Sequence, residues 1–388
     1  RYDIPYLRDS LFHKSLASDS ALQNPSVDVL SYEKKTDSES QTYILINGLK
    51  SGKTDTKEIY VPKTIDGIED IRIADRAFEY EKNPRLTKIS FEEKPHYIGD
   101  YVFDGLSLDV LDFGFEDDIS YTMECRYQTK TVKEEDYQSE VTYSDAFAGI
   151  NHIDIARFPL STSSQFSSKS FNIMFGKKDL TTVSTKDYRG ISAFVLPISK
   201  SEEEYSYSGT KTSNLRINSL YIPKGVKFLP NQSMSIADTY LRLVKYENGY
   251  DCKDKDGKDY LGNQYFGFKN CFALEYYIRN FNGSFNVPTD YFKNDISLRG
   301  VLPYENINVF SSSCFRNARL PRIIELRNVT KIGKEAFFDT YGLKEVHIYK
   351  SEDVDENNRL VIQDDAFSHS KNEKGNIEKN RLPWFQRK

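Results

Sequence analysis

Several short stretches carry residue types that do chemistry elsewhere, and each fails a specific spacing test. Asn47-Gly-Leu-Lys-Ser-Gly-Lys-Thr54 approaches a phosphate-binding loop. In such a loop Gly, four residues and Gly-Lys-Ser/Thr let backbone N–H groups cradle the phosphates. The first glycine belongs at the position held by Asn47, and Gly48 arrives one residue late. A phosphate loop also runs into a helix whose N-terminus holds the anion. Here Tyr43-Ile-Leu-Ile46 precedes the loop and Glu58-Ile-Tyr-Val61-Pro62 follows it, both strand-like, and Pro62 interrupts a helix. The expectation is a hairpin turn carrying Gly48 and Gly52, with no nucleotide. Asp251-Cys-Lys-Asp-Lys-Asp-Gly257 approaches a calcium loop, which closes with a bidentate Glu at its twelfth position. Asp254 and Asp256 fit, but Cys252 stands at the first ligand position and Asn263 at the twelfth, so a solvated charged turn is expected.

The histidines, His13, His96, His152, His347 and His369, are scattered without paired metal spacing. Cysteines 125, 252, 271 and 314 form no CxxC pattern. Pairing of Cys252 with Cys271 requires the chain between them to fold back, and partly buried thiols are the plainer expectation. No G-x-S-x-G elbow or Cys/His signature appears. We therefore expect no catalytic residue, no metal ligand and no cofactor, and a chain that is not an enzyme.

Net charge and patterning narrow the partners. The chain of 388 residues has a formal charge of −5. It contains no long basic run, so duplex nucleic acid and anionic membrane are poor partners. No apolar run approaches the roughly 18 residues of a membrane helix, so no membrane span is expected in this segment. It opens at Arg1 without a hydrophobic leader, as a trimmed chain or one relieved of a signal segment would. The 27 Tyr and 25 Phe, against one Trp, must pack somewhere.

What packs them is a repeat. Ile73-Ala-Asp-Arg-Ala-Phe78, Ile98-Gly-Asp-Tyr-Val-Phe103, Ile332-Gly-Lys-Glu-Ala-Phe337 and Ile362-Gln-Asp-Asp-Ala-Phe367 share one frame. Looser copies run from Val287 to Phe292, Phe310 to Phe315, Phe166 to Phe171 and Leu229 to Met234, and Thr142 to Phe147 keeps the Ala-Phe end. Downstream comes apolar-x-x-apolar-x-apolar, as in Leu86-Thr-Lys-Ile-Ser-Phe91 and Leu343-Lys-Glu-Val-His-Ile348. Its terminal alternation is strand-like. Uninterrupted copies place their Phe anchors 25, 24, 23 and 22 residues apart (78 to 103, 147 to 171, 292 to 315, 315 to 337). A period of 20 to 29 residues with a short strand per unit is the leucine-rich-repeat class. One unit cannot bury its Ile, Phe and Leu alone, so neighbours must stack into a solenoid, here expected as one elongated domain.

Residues 330–348, TKIGKEAFFDTYGLKEVHI, resemble the BspA-like, treponemal-type leucine-rich repeat of bacterial surface proteins. The run 58–78 is similar to the hairpin entry of such arrays. The resemblance covers about 58–113 and 285–368 and is patchy between. It implies a β-rich, right-handed superhelix with one short strand per repeat and an irregular convex side. It also implies a secreted or cell-surface role in adhesion or protein recognition, without catalytic residues.

Within that frame residues 1–40, poor in strand signals, read as a capping segment, 41–368 as the solenoid, and 369–388 as a C-terminal cap or tail. Insertions are expected at about 114–141, as a charged excursion, and 246–285, rich in Tyr and Phe. The variable strand positions should form a ladder on the sheet face: Thr87, Lys88, Ser90; Asp109, Val110, Asp112; His152; Arg242, Leu243, Lys245; Arg299; His347. We expect Lys88, Asp109, Asp112, His152, Arg242, Lys245, Arg299 and His347 there to contact a protein partner of a host or neighbouring cell. Tyr276 and Tyr277 in the second insertion suit a glycan, the alternative ligand. A segment of a larger secreted enzyme or toxin is the other alternative. The competing reading of that insertion is a decayed repeat whose aromatics are core, with Cys271-Phe272 mirroring Cys314-Phe315.

Overall fold

A computed structural model describes residues 26–114, most of 116–157, strand segments within 191–199, then 217–222, 241–247, 268–280, 285–349 save 303, 360–369 and 384–387. The serine-rich run at 161–170, the calcium-like loop at 251–260, and the copies at 166–171 and 229–234 lie outside these. The chain divides into two compact units, residues 1–205 with 214–217, and 206–213 with 218–388.

In the first unit the chain alternates between two parallel ladders. Glu58–Val61, Lys88–Phe91, Ser107–Asp112, His152–Arg157 and Ile191–Val195 pair in that order. Between them Thr42–Leu49, Ile71–Ile73, Tyr97–Ile98 and Glu124–Cys125 form the second ladder. The second unit repeats the plan. Ile217–Ile222, Leu243–Glu247, Tyr276–Asn280 and Gly300–Leu302 make one parallel ladder. Phe285–Val287, Ile307–Phe310, Lys331–Ile332 and Val361–Ile362 make another. A third joins Ile323–Leu326, Glu345–Ile348 and Trp384–Arg387, so the segment expected as a cap or tail contributes a strand. This is the leucine-rich-repeat solenoid expected from the period. Coils in both units add a second strand at or near the Ile of the Ile-to-Phe frame, joined to its neighbour over two or three residues.

The anchors stack. Phe78 and Phe103 lie 6.3 Å apart, and Phe103 and Phe147 5.7 Å. In the second unit the column runs Phe268–Phe292–Phe315–Phe337–Phe367, at 6.4, 5.1, 5.6 and 5.0 Å. Phe78, Phe103, Phe292, Phe315 and Phe337 are fully buried, each burial contributing roughly 1.5–3 kcal/mol. Phe268 is the anchor of the coil within 246–285, and Phe272 is exposed; Cys271-Phe272 is therefore not the counterpart of Cys314-Phe315. Residues 268–280, within the stretch expected as an insertion, and the strand Phe285–Val287 follow the coil plan. Cys252, the proposed partner of Cys271, is outside the described residues.

Turning the chain so tightly places left-handed backbone beside most of the anchors. Two residues before it stand Arg76, Tyr101, Asp290, Ser313, Glu335 and Asp365, all with φ between 55° and 59°. Two residues after it the first unit uses Gly105 and Gly149, whereas the second uses Asn270, Asn294, Asn317 and Asp339. Asparagine tolerates this region, and its amide bonds along the coils: Asn294 Nδ2 donates to Asn270 Oδ1 at 2.7 Å, and Asn317 Nδ2 to Asn294 Oδ1 at 2.9 Å.

The first unit corrects two expectations. Leu30–Thr36, within the stretch read as poor in strands, is a strand antiparallel to Thr42–Leu49. Their turn is closed by the Asp37 carboxylate, which accepts from the Glu39 and Gln41 amides. The glycine loop is consequently not a hairpin between its flanking strands: Thr42–Leu49 and Glu58–Val61 enter different ladders. Gly48 sits in a bulge at φ 131°, where a Cβ would meet the Ala77 carbonyl oxygen at 2.3 Å. The hairpin in the entry run is the tight turn at Asp66-Gly67, where Ile65 and Ile68 exchange backbone bonds at 3.1 and 2.9 Å. The charged excursion contains a hairpin of its own, Gln128–Glu134 with Tyr137–Tyr143.

Candidate functional site

The outward positions of the longer strands were expected to form a solvent ladder, and the two units treat them differently. In the first, the row Tyr60, Ser90, Asp112 and Arg157 is in register across adjacent strands, and all of it is buried. Val110 and Ile155, on the same face, are buried too. Asp112 is thus not a recognition residue. Its carboxylate accepts from Arg157 Nε at 2.8 Å and Nη2 at 2.7 Å, and from the Gly114 amide at 3.0 Å. Burial, then the negative charges of Glu92 and Asp112, push the Tyr60 phenol well above its usual range. Arg157, absent from the sequence reading, is the residue that makes Asp112 structural; its signal was a lone cation two residues beyond an apolar strand frame.

Lys88, Asp109 and His152 lie on three consecutive strands, but Lys88 is in register with Val110 and His152 with Ser107. The Asp109 amide donates to the Thr87 carbonyl at 2.7 Å, and Asp109 is exposed. Lys88 reaches Glu58 at 3.5 Å, and the His152 ring lies 2.9 Å from Asp154 two residues along its strand. This patch is small, mixed in sign and bordered by the buried row.

The second unit presents a longer surface. Arg242, Glu275 and Arg299 occupy the same position in successive coils, the amides of Glu275 and Arg299 donating to the carbonyls of Arg242 and Glu275. Arg299 Nε lies 3.6 Å from Glu275. Lys245 stands over the Tyr221 ring at 5.6 Å. His347 lies 3.1 Å from Glu345, again two residues along one strand. Leu243, an expected ladder member, is buried. Of the tyrosine pair, Tyr276 is half-buried, while Tyr277 is core. It packs among Phe268, Phe285, Tyr291 and Phe292, its hydroxyl 3.4 Å from that of Tyr291. Tyr277 therefore cannot stack on a sugar. Glu275 was legible once Phe268 is taken as anchor, since Leu274 follows it by the same six residues that separate Phe292 from Leu298 and Phe337 from Leu343.

At Asp100 and His96 burial, not a partner, dominates. The Asp100 carboxyl is pushed up by burial, although Arg126 lies 2.5 Å away. His96, stacked on Tyr121 at 4.2 Å, is pushed down by burial against the pull of Asp70. Among the described residues no group of three or more His, Cys, Asp or Glu could hold a metal ion. No helix among them is long and apolar enough to cross a membrane.

Comparison with known proteins agrees with this geometry. The model of the BspA type leucine rich repeat region matches in six copies, over residues 52–175 and 263–382. The chain belongs to that family. It is a repeat protein-interaction module of a kind that is typically non-enzymatic and commonly surface-associated. A solved structure, a leucine-rich repeat protein from Bacteroides ovatus ATCC 8483, aligns with 94% of this chain and 100% of its own at 15% identity, with a TM-score of 0.22. No curated protein matches.

Proposed function

We propose that this chain is a secreted or cell-surface recognition module that adheres to a protein of a host or neighbouring cell through the exposed strand positions of its coils. The supporting observation is the column Arg242, Glu275 and Arg299 with Lys245 beside it, each member of the column immediately preceding a strand whose inner residue (Val244, Tyr277 or Val301) is buried and in register. A rigid backbone holds those charges at fixed spacing, so binding loses little conformational entropy. Alternating charge on such a face sets encounter rate and partner choice more than raw affinity. Lys88, Asp109 and His152 belong to the same reading in the first unit, and His347 in the second. The hairpin Leu30–Leu49 adds an antiparallel strand to the end of its ladder, and Trp384–Arg387 adds a parallel strand to its own.

The test is adhesion of the labelled chain to cultured epithelial cells, measured after protease or glycosidase treatment of the cells. Loss on protease alone, and a tenfold weakening with Arg242→Glu/Lys245→Glu, is expected. Adhesion that survives protease or is lost on glycosidase treatment overturns the reading in favour of a glycan.

A further inference from the structure

A second surface of the later unit lies off the strand face, on the turn that follows each anchor phenylalanine. Four residues after Phe268, Phe292, Phe315 and Phe337 come Phe272, Ile296, Arg319 and Tyr341. The backbone puts them in one column. Cys271 donates its amide to Asp295 Oδ1 at 2.9 Å, Arg319 donates to the Asp295 carbonyl at 3.0 Å, and Arg319 and Tyr341 share a parallel bridge. At these positions Phe272, Ile296 and Tyr341 are 42%, 53% and 44% exposed, although each is apolar or aromatic. Ile323, the neighbour of Arg322, is 44% exposed. Contiguous exposed apolar side chains of this kind mark interaction surfaces.

Cations outnumber carboxylates around the column. Seven residues after the same anchors stand Glu275, Arg299, Arg322 and Lys344, and Lys344 donates its amide to the Arg322 carbonyl at 2.7 Å. Glu275 is engaged by Arg299 at 3.6 Å. The remaining carboxylates nearby are also engaged, Glu345 with His347 at 3.1 Å and Glu325 with the Tyr349 hydroxyl at 3.3 Å. Arg319 and Arg322 are exposed and make no ion pair among the described residues. An apolar stripe edged by uncompensated guanidinium groups fits a partner that supplies carboxylates as well as apolar side chains, because Arg takes carboxylate bidentately.

We propose that the column Phe272–Ile296–Arg319–Tyr341, edged by Arg322 and Lys344, docks an acidic segment of a partner protein bearing aromatic or aliphatic side chains. At roughly 4.8 Å per coil, three coil steps span about 14 Å, the length of some nine or ten helical residues. This rests on the reading of the chain as a protein-recognition module and assigns it a further surface with a stated partner chemistry.

Selection of a displayed random 12-residue peptide library on the immobilised full chain tests it. Peptides enriched in Asp or Glu together with Phe, Leu, Ile or Trp are expected. The same peptides, made soluble, should bind at least tenfold more weakly to Arg319→Glu/Arg322→Glu and to Ile296→Ser. They should bind unchanged to the charge-matched control Lys331→Glu/Lys334→Glu. Enrichment without acidic bias, equal loss in the control, or a concentration-dependent dimer abolished by the reversal (the surface then serving a second copy) overturns it. Epithelial adhesion lost in Arg242→Glu/Lys245→Glu but intact in Arg319→Glu/Arg322→Glu, with no acidic enrichment, overturns this proposal and leaves the recognition reading standing.

Discussion

Removing Arg157 alone should destabilise the first unit more than removing Arg157 and Asp112 together. The side chains of both are almost fully buried, 5% and 3% exposed, and joined by two short bonds. Arg157→Met leaves the Asp112 carboxylate buried with the Gly114 amide donating to it, and breaking such a pair from one side costs about 3–5 kcal/mol. Asp112→Leu takes the carboxylate away from the buried guanidinium, at a similar cost. In Asp112→Leu/Arg157→Met no buried charge is left, and the main loss is the orphaned Gly114 amide, about 1–3 kcal/mol, against an apolar replacement that is often neutral or favourable. The singles sum to about 6–10 kcal/mol, so a coupling of several kcal/mol should appear in the double-mutant cycle. With two compact units in the chain, hydrogen exchange of the Ser107–Asp112 and His152–Arg157 amides in the native state reads this cost locally, where global urea unfolding mixes the units. Additive singles would show that water reaches the pair, and would refute its assignment as structural.

Two further outcomes are expected. Phe268→Ala should cost about 3–5 kcal/mol by native-state hydrogen exchange of the Tyr276–Asn280 amides, whereas Phe272→Ala should stay within about 0.5 kcal/mol; the reverse order would remove Phe268 from the anchor column. Asp295 is fully buried, with Oδ1 accepting from the Cys271 amide and Oδ2 without a partner among the described residues, and burial holds its carboxyl well above the ordinary 3.8. A raised folded value means the neutral form is the folded form, so its contribution is complete below about 3.8 and is lost as pH rises through the raised value. Stability measured against pH for Asp295→Asn minus wild type should therefore grow with rising pH; a flat difference would contradict the burial.

The repeat frame was readable because core positions recur: Ile73 and Phe78, Ile98 and Phe103, and Ile332 and Phe337 are all buried, and nothing else in the coil needs that spacing. Phe268 escaped because Asn263 replaces the Ile five residues earlier, while Cys271-Phe272 offered a false copy of Cys314-Phe315. Leu30–Thr36 escaped because Glu33, Lys34 and Lys35 give an edge strand no apolar alternation. The candidate surface was half legible. Arg242, Arg299, Lys88 and Asp109 follow from period and phase, since their strands are pinned by buried neighbours. The burial of Asp112, Val110 and Leu243 does not, because whether an outward position meets water depends on what packs over the sheet. The left-handed residues before each anchor, Arg76 and Glu335 among them, leave no Gly signature at all.

The side-chain amide chain from Asn270 through Asn294 to Asn317 has a consequence for how such a polypeptide grows. Asn294 accepts from one neighbour and donates to the other, so each member is interchangeable with the next. Excising one whole period would bring Asn317 directly against Asn270 with donor and acceptor already matched. Array length can then drift by recombination while the bonding grammar is conserved, and the outward residues are left to vary without renegotiating the frame.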